Sequence, residues 1–176
     1  MKKNLFWILW VIIVLAVSSC GPSGPQEFTS PEGRFSITAQ KPFKASTQTI
    51  TASGISLPTY MFIADMGTRT DMVAYTDYPE DVVSQSDPAK MLDGASNGAV
   101  QNVNGTLVSQ DEITLDGNPG RDIVANAAAK NGQEVTMRAR LYMVKNRLYM
   151  IIIVANKGQL TREQTDAFLD SFKLLQ

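Results

Sequence analysis

Through most of the chain apolar and polar residues alternate one by one, the period of a strand with one buried face, while two stretches repeat every three to four residues, the period of a helix. Arg34 to Ala39, with Phe35 and Ile37 on one side, predicts a first strand ahead of Lys41-Pro42-Phe43. Thr47 to Thr51 and Thr59 to Asp65 flank Ser53-Gly54 as a hairpin or meander, and Asp71 to Tyr78 reads as a further strand that Pro79 closes. Asp87-Pro88 predicts a helix start, because the Asp87 carboxylate can accept an orphan amide hydrogen bond and proline in the first turn forfeits no donor. Met91, Leu92, Ala95, Ala99 and Val103 fall on one face of that helix, and Asn104-Gly105 ends it.

Strands then follow one another: Thr106 to Leu115, Arg121 to Ala128, Gln133 to Val144 and Arg147 to Val154. Asp116-Gly117-Asn118-Pro119-Gly120, Lys130-Asn131-Gly132 and Lys145-Asn146 separate them, and connections this short, Asn-Gly above all, join antiparallel neighbours. In Gln133 to Val144, Met137, Ala139, Leu141 and Met143 alternate with Arg138, Arg140 and Tyr142, so one face is more polar. Leu148 to Val154 is apolar on both faces, which predicts a strand covered from both sides. Thr161 and Gln164 form a capping box for a last helix, with Phe168, Leu169 and Phe172 on its apolar face. The expected fold is α/β (α+β type): an antiparallel sheet of about six to eight strands sandwiched between helices, in a single domain over 31–176.

Ahead of the domain the pattern differs. Lys2 and Lys3 precede Leu5 to Val17, thirteen uninterrupted apolar residues, the order of a secretory signal. A helix of that length is about 20 Å long, whereas spanning a bilayer takes about 20 residues. The run ends in Val17-Ser18-Ser19-Cys20-Gly21, which resembles the bacterial lipobox. Residues 1–19 are therefore expected to be removed, and Cys20, the chain's single cysteine, to be acylated and held in a membrane. Because Gly21 is not the aspartate of an inner-membrane retention signal, a Gram-negative source implies the periplasmic side of the outer membrane, and any other bacterium the outer face of the cell membrane. Residues 20–30, rich in glycine and proline, read as a flexible tether reaching at most about 33–36 Å.

Composition narrows the chemistry. The chain contains no histidine, which excludes Ser-His-Asp and Cys-His catalysis as well as imidazole metal sites, and one cysteine allows neither an internal disulfide nor a thiolate zinc site. Without Lys2 and Lys3 the remainder carries 14 basic and 17 acidic residues, so there is no bulk attraction for nucleic acid or for anionic lipid. Asp77, Glu80 and Asp81 cluster around Pro79 without calcium-loop spacing and read as a solvated acidic loop, as do Asp111-Glu112. The Asp116 to Gly120 segment lacks the ligand series of a calcium loop and the lysine of a phosphate loop, and reads as a turn. No catalytic residue, metal site or cofactor is expected.

Gly33-Arg34-Phe35-Ser36-Ile37, Leu115-Asp116-Gly117-Asn118-Pro119-Gly120-Arg121 and Arg147-Leu148-Tyr149, followed by Phe168-Leu169-Asp170-Ser171-Phe172, resemble the PsbP-like proteins over nearly the whole domain. That group includes an extrinsic subunit of photosystem II, the Ran-binding Mog-type proteins and many bacterial lipoproteins. The resemblance implies an α/β/α sandwich and a non-enzymatic binding, assembly or accessory role. On the residues themselves, Arg138, Arg140 and Tyr142 form the face expected to dock a protein partner, the other reading being a solvated face or arginine stems packed over a helix edge. The methionines, Met137, Met143 and Met150 among them, read as core filling. The expectation is a membrane-anchored protein-binding or assembly module, the alternative a small-molecule or lipid carrier with a pocket between sheet and helix.

Overall fold

A computed structural model describes residues 24–175 apart from Ser53, Lys130 and Leu160. Seven strands form one antiparallel sheet in the order β3-β4-β5-β9-β8-β7-β6: β3 (Lys44–Ala52), β4 (Ile55–Asp65), β5 (Arg69–Asp77), β6 (Thr106–Leu115), β7 (Asn118–Ala128), β8 (Glu134–Val144) and β9 (Arg147–Asn156). The expected large antiparallel sheet is therefore present. One layer over it is helical: α2 (Pro88–Asn102) lies across β7 and β8. The other layer is not purely helical, as the sequence pattern suggested. It combines α3 (Arg162–Leu169) with a separate three-stranded sheet, β1 (Gln26–Ser30), β2 (Phe35–Ala39) and β10 (Lys173–Leu174).

This small sheet shortens the expected tether. Gln26 pairs with Ala39 and Ser30 with Phe35, so the second half of the segment read as a tether is a strand. Phe28 supplies the reason, since its ring meets those of Phe35, Phe43 and Phe62 at centroid distances of 6.0, 5.1 and 5.1 Å. One apolar residue in a polar run carries no periodicity of its own. A further difference is α1 (Glu80–Ser84), a short helix where the acidic loop was expected.

Elsewhere the local chemistry builds what it predicts. The Asp87 carboxylate accepts from the Ala89 amide at 2.9 Å with Pro88 opening α2, and Asn104, at φ 50°, closes it. Both reciprocal bonds of the Thr161–Gln164 capping box are present at 3.2 Å. The β6–β7 turn is only Asp116-Gly117, both at positive φ, so Asn118, Pro119 and Gly120 belong to β7. Gly120 is required there because any Cβ would lie 2.5 Å from both the Leu141 carbonyl oxygen and the Tyr142 ring.

The core has two halves, one on each face of β5, β9 and β8. Val73, Tyr75, Tyr149, Ile151 and Ile153 meet Phe35, Ile37, Phe168 and Phe172 on one side, while Ile123, Ala139, Leu141 and Ile152 meet Leu92, Ala99 and Val100 of α2 on the other. The doubly apolar run in β9 thus contributes to both halves, under the small sheet and α3 on one face and beside α2 on the other. On the first side Asp71 is fully buried, with the Arg69 guanidinium on its carboxylate at 2.5 and 2.9 Å.

Burial raises the Asp71 pKa above the ordinary 3.8, and Arg69 opposes that rise without cancelling it. The folded chain therefore holds this proton more tightly than the unfolded one. The resulting stability is complete below pH 3.8 and lost as pH rises through the folded value. Thermal melts over roughly pH 3.5 to 7 are expected to show wild type losing ground to Asp71→Asn as pH increases.

Candidate functional site

Arg138 and Arg140 project from β8 toward α3, and their guanidinium groups converge on the Asp122 carboxylate of β7 at 3.0 and 3.1 Å. Arg138 also donates to Asp166, and Arg140 to Asp170 at 2.5 Å. Burial disfavours the charge on both arginines, but the hydrogen-bonded carboxylates outweigh it, and both pKa values lie above the ordinary arginine value. Tyr142 is buried, with its ring stacked on Phe172 at 6.3 Å. The face expected to dock a partner is thus occupied by the chain's own last helix and the residues after it. Both guanidinium groups are held by carboxylates of β7, of α3 and of its C-terminal cap. A cleft of about 530 Å³ opens beside this network, lined in part by Asp122 and Arg138, which are already engaged with each other.

On the opposite face the layer is incomplete. α2 is fixed over β7 because the buried Arg121 binds Asp93 of the helix at 2.8 Å, and Gln110 of β6 donates to the same carboxylate at 2.9 Å. This leaves β9, β5 and β4 without a covering helix beside it. Registers put Ile63, Met72 and Ile152 in one row across these strands, Met61, Ala74 and Met150 in the next, and Thr59, Thr76 and Leu148 in the third. Residues directly opposed in a sheet share a face, so the rows make a floor.

The result is a trough of about 1100 Å³. Met91, Gly94 and Gly98 of α2 form one wall, Ile50 and Ile55 of the β3–β4 hairpin bound it opposite, and Val82 of α1 closes one end. Five of the chain's eight methionines line it: Met61, Met72, Met91, Met137 and Met150. Met137 is buried as expected of core filling, but Met61, Met72, Met91 and Met150 are only half-buried. The polar pair on the floor, Thr59 and Thr76, is satisfied internally by a hydroxyl contact of 2.6 Å. Asp87 and Lys90 are the charged residues in its lining, one of each sign.

The alternative reading places a pocket between sheet and helix but names none of the residues that line this one, although a signal is present. Gly94 and Gly98 stand four apart in a helix that otherwise excludes glycine, and a Cβ at either would meet nothing within 4 Å. Among the described residues no group of three His, Cys, Asp or Glu side chains could hold a metal, and no helix is long and apolar enough to cross a membrane. Cys20 lies outside the described residues.

Neither a protein-family model nor a curated protein matches the chain. Among solved structures, the cyanobacterial PsbP (CyanoP) of Synechocystis sp. PCC 6803 superposes with a TM-score of 0.57 at 10% identity, over 92% of this chain and 98% of that one. The chain has a PsbP-like fold. A Bacteroides thetaiotaomicron protein scores 0.49 at 13% identity over 88% of this chain and 50% of its own, and a Pseudomonas aeruginosa protein of unknown function scores 0.44 at 9% identity over 78% and 86%. A fold by itself transfers no ligand or partner.

Proposed function

We propose that this chain is a membrane-anchored, non-catalytic accessory module whose working surface is the methionine-lined trough beside α2. The observation that carries the reading is the uncovered apolar floor. Half-buried methionines in a concavity of this size offer flexible, polarisable contacts that fit an apolar occupant, and pockets for small ligands run to roughly 300–1,000 Å³. The carboxylates around Pro79 do not argue for catalysis, since Asp77 is tied to Arg147 at 2.6 and 2.7 Å. The lipobox supports the anchor.

The test is made on the full chain in cells, with a photoactivatable phenylalanine analogue replacing Met150 and, as a control, Asn97, which is exposed on α2 and does not line the trough. Cells are fed a labelled fatty acid. The expected result is label incorporation that Cys20→Ala abolishes, together with a photo-adduct at position 150 that is absent at 97. Full labelling of Cys20→Ala would remove the anchor, and equal adducts at both positions would remove the trough. Gly94→Leu with Gly98→Leu is expected to erase the adduct while stabilising the fold by up to about 1 kcal/mol per site, because leucine exceeds glycine in helix propensity and both sites face open space.

A further inference from the structure

The two ends of the trough differ in what surrounds them. Gln26 pairs with Ala39, Lys44 follows five residues later, and Lys44 pairs with Ile63. The chain thus enters the domain at the end of the sheet where β4 finishes and β5 begins. The C-terminal end of α2 lies at that same end, since a Cβ on Gly105 would sit 3.1 Å from the Asn126 carbonyl, and Asn126 aligns through Thr136 and Ala155 with Arg69. Asn102 and Val103 of the trough lining are therefore near the point where the chain enters, on the opposite face of the sheet. The far end carries α1 and Asp87, next to the Tyr78–Asn146 contact.

Chain length then decides what the near end meets. Six residue steps separate Cys20 from Gln26, a reach of at most about 20 Å. That is no longer than the α2 wall itself, about 22 Å for fifteen residues. A chain acylated at Cys20 holds this end of the trough within reach of the lipid surface. Charge does not set the orientation: exposed Lys41 and Lys44 at the near end stand with exposed Glu27 and Asp65, and Glu80, Asp81 and Asp87 at the far end stand with exposed Lys90, while Lys44 shares a strand face with Gln48 and Ile50 of the trough lining.

We infer that the occupant of the trough is an acyl chain of a lipid drawn from the bilayer that holds the protein, entering past the C-terminal end of α2. The inference rests on the trough being the binding surface. The floor supplies apolar contact along three strands without a charge, and the lining's single Asp and Lys leave no clamp for a highly charged ligand.

The chain's two tryptophans, Trp7 and Trp10, lie in the segment expected to be removed, so a tryptophan introduced into the domain is a clean reporter. The acylated protein carrying Met150→Trp is reconstituted into vesicles of phosphatidylcholine and phosphatidylglycerol, with or without bromine at mid-chain of the phosphatidylcholine. Bromine quenches tryptophan only near contact. The expected result is at least a twofold loss of emission in the brominated vesicles, little loss for Asn97→Trp, and recovery of Met150→Trp emission when Gly94→Leu and Gly98→Leu fill the trough. Met61→Trp, on the same floor row, repeats the measurement should the first variant not fold.

Equal emission in both kinds of vesicle overturns the inference, as does quenching that survives filling of the trough, which would report only proximity to the bilayer. An unquenched reporter together with a protein adduct at position 150 overturns the lipid and leaves the trough as the binding surface. An unquenched reporter with no adduct removes both.

Discussion

Ile151→Asp is expected to abolish cooperative folding, whereas Ile152→Asp, one residue along the same strand, leaves a folded domain that melts early. The two side chains point to opposite faces of β9. Ile151 is 0% exposed among Val73, Tyr75, Tyr149 and the rings of the small sheet, where a carboxylate finds neither water nor a cation. Losing a buried isoleucine costs roughly 2–5 kcal/mol, and an unpaired buried charge adds several more. Together these approach the 5–15 kcal/mol that hold a typical domain folded. Ile152 is 7% exposed and borders the trough, so a carboxylate there can turn toward water and the expected loss is smaller, about 3–5 kcal/mol. Urea unfolding followed by circular dichroism decides it. Equal midpoints for the two variants would show that both faces of β9 are covered alike and that there is no trough.

The second large effect is expected at Asp122. Its carboxylate is shared by Arg138 and Arg140, whose side chains are 18% and 17% exposed, and Asp122→Ala leaves two like charges side by side with only the carboxylates of Asp166 and Asp170 to satisfy them. The expected cost is about 2–4 kcal/mol, since a partly buried pair broken on one side retains its desolvation penalty. Partial exposure keeps it below the figure for a fully buried pair. Asp122→Asn, which still offers an acceptor oxygen, loses less. Replacing Arg138 and Arg140 together by alanine is likewise expected to destabilise, because it frees α3 from β8. Unfolding midpoints are the measurement, and a change in Asp122→Ala below about 0.5 kcal/mol would mean that the arginines are held by α3 alone.

What could be read from the sequence is what neighbouring residues decide among themselves. A turn after Leu115, the Asp87-Pro88 helix start, the Thr161–Gln164 capping box and the two apolar faces of β9 rest on interactions within a few residues, so their pattern is visible in one dimension, whereas the turn's length of two residues comes from the pairing of β6 with β7. Tertiary structure decided the rest. Alternation shows that Arg138 and Arg140 share a face, but whether that face meets water or the carboxylates of a helix depends on Asp166 and Asp170, 28 and 30 residues away. β1 forms because Phe28 reaches a cluster of rings contributed by β2, by β4 and by Phe43 between them. The trough exists because Arg121 and Asp93, 28 residues apart, set α2 over β7 and leave β9, β5 and β4 without a helix over them. A missing layer leaves no mark in hydrophobic periodicity, since an apolar residue obeys the same alternation whether a helix or a ligand is to cover it.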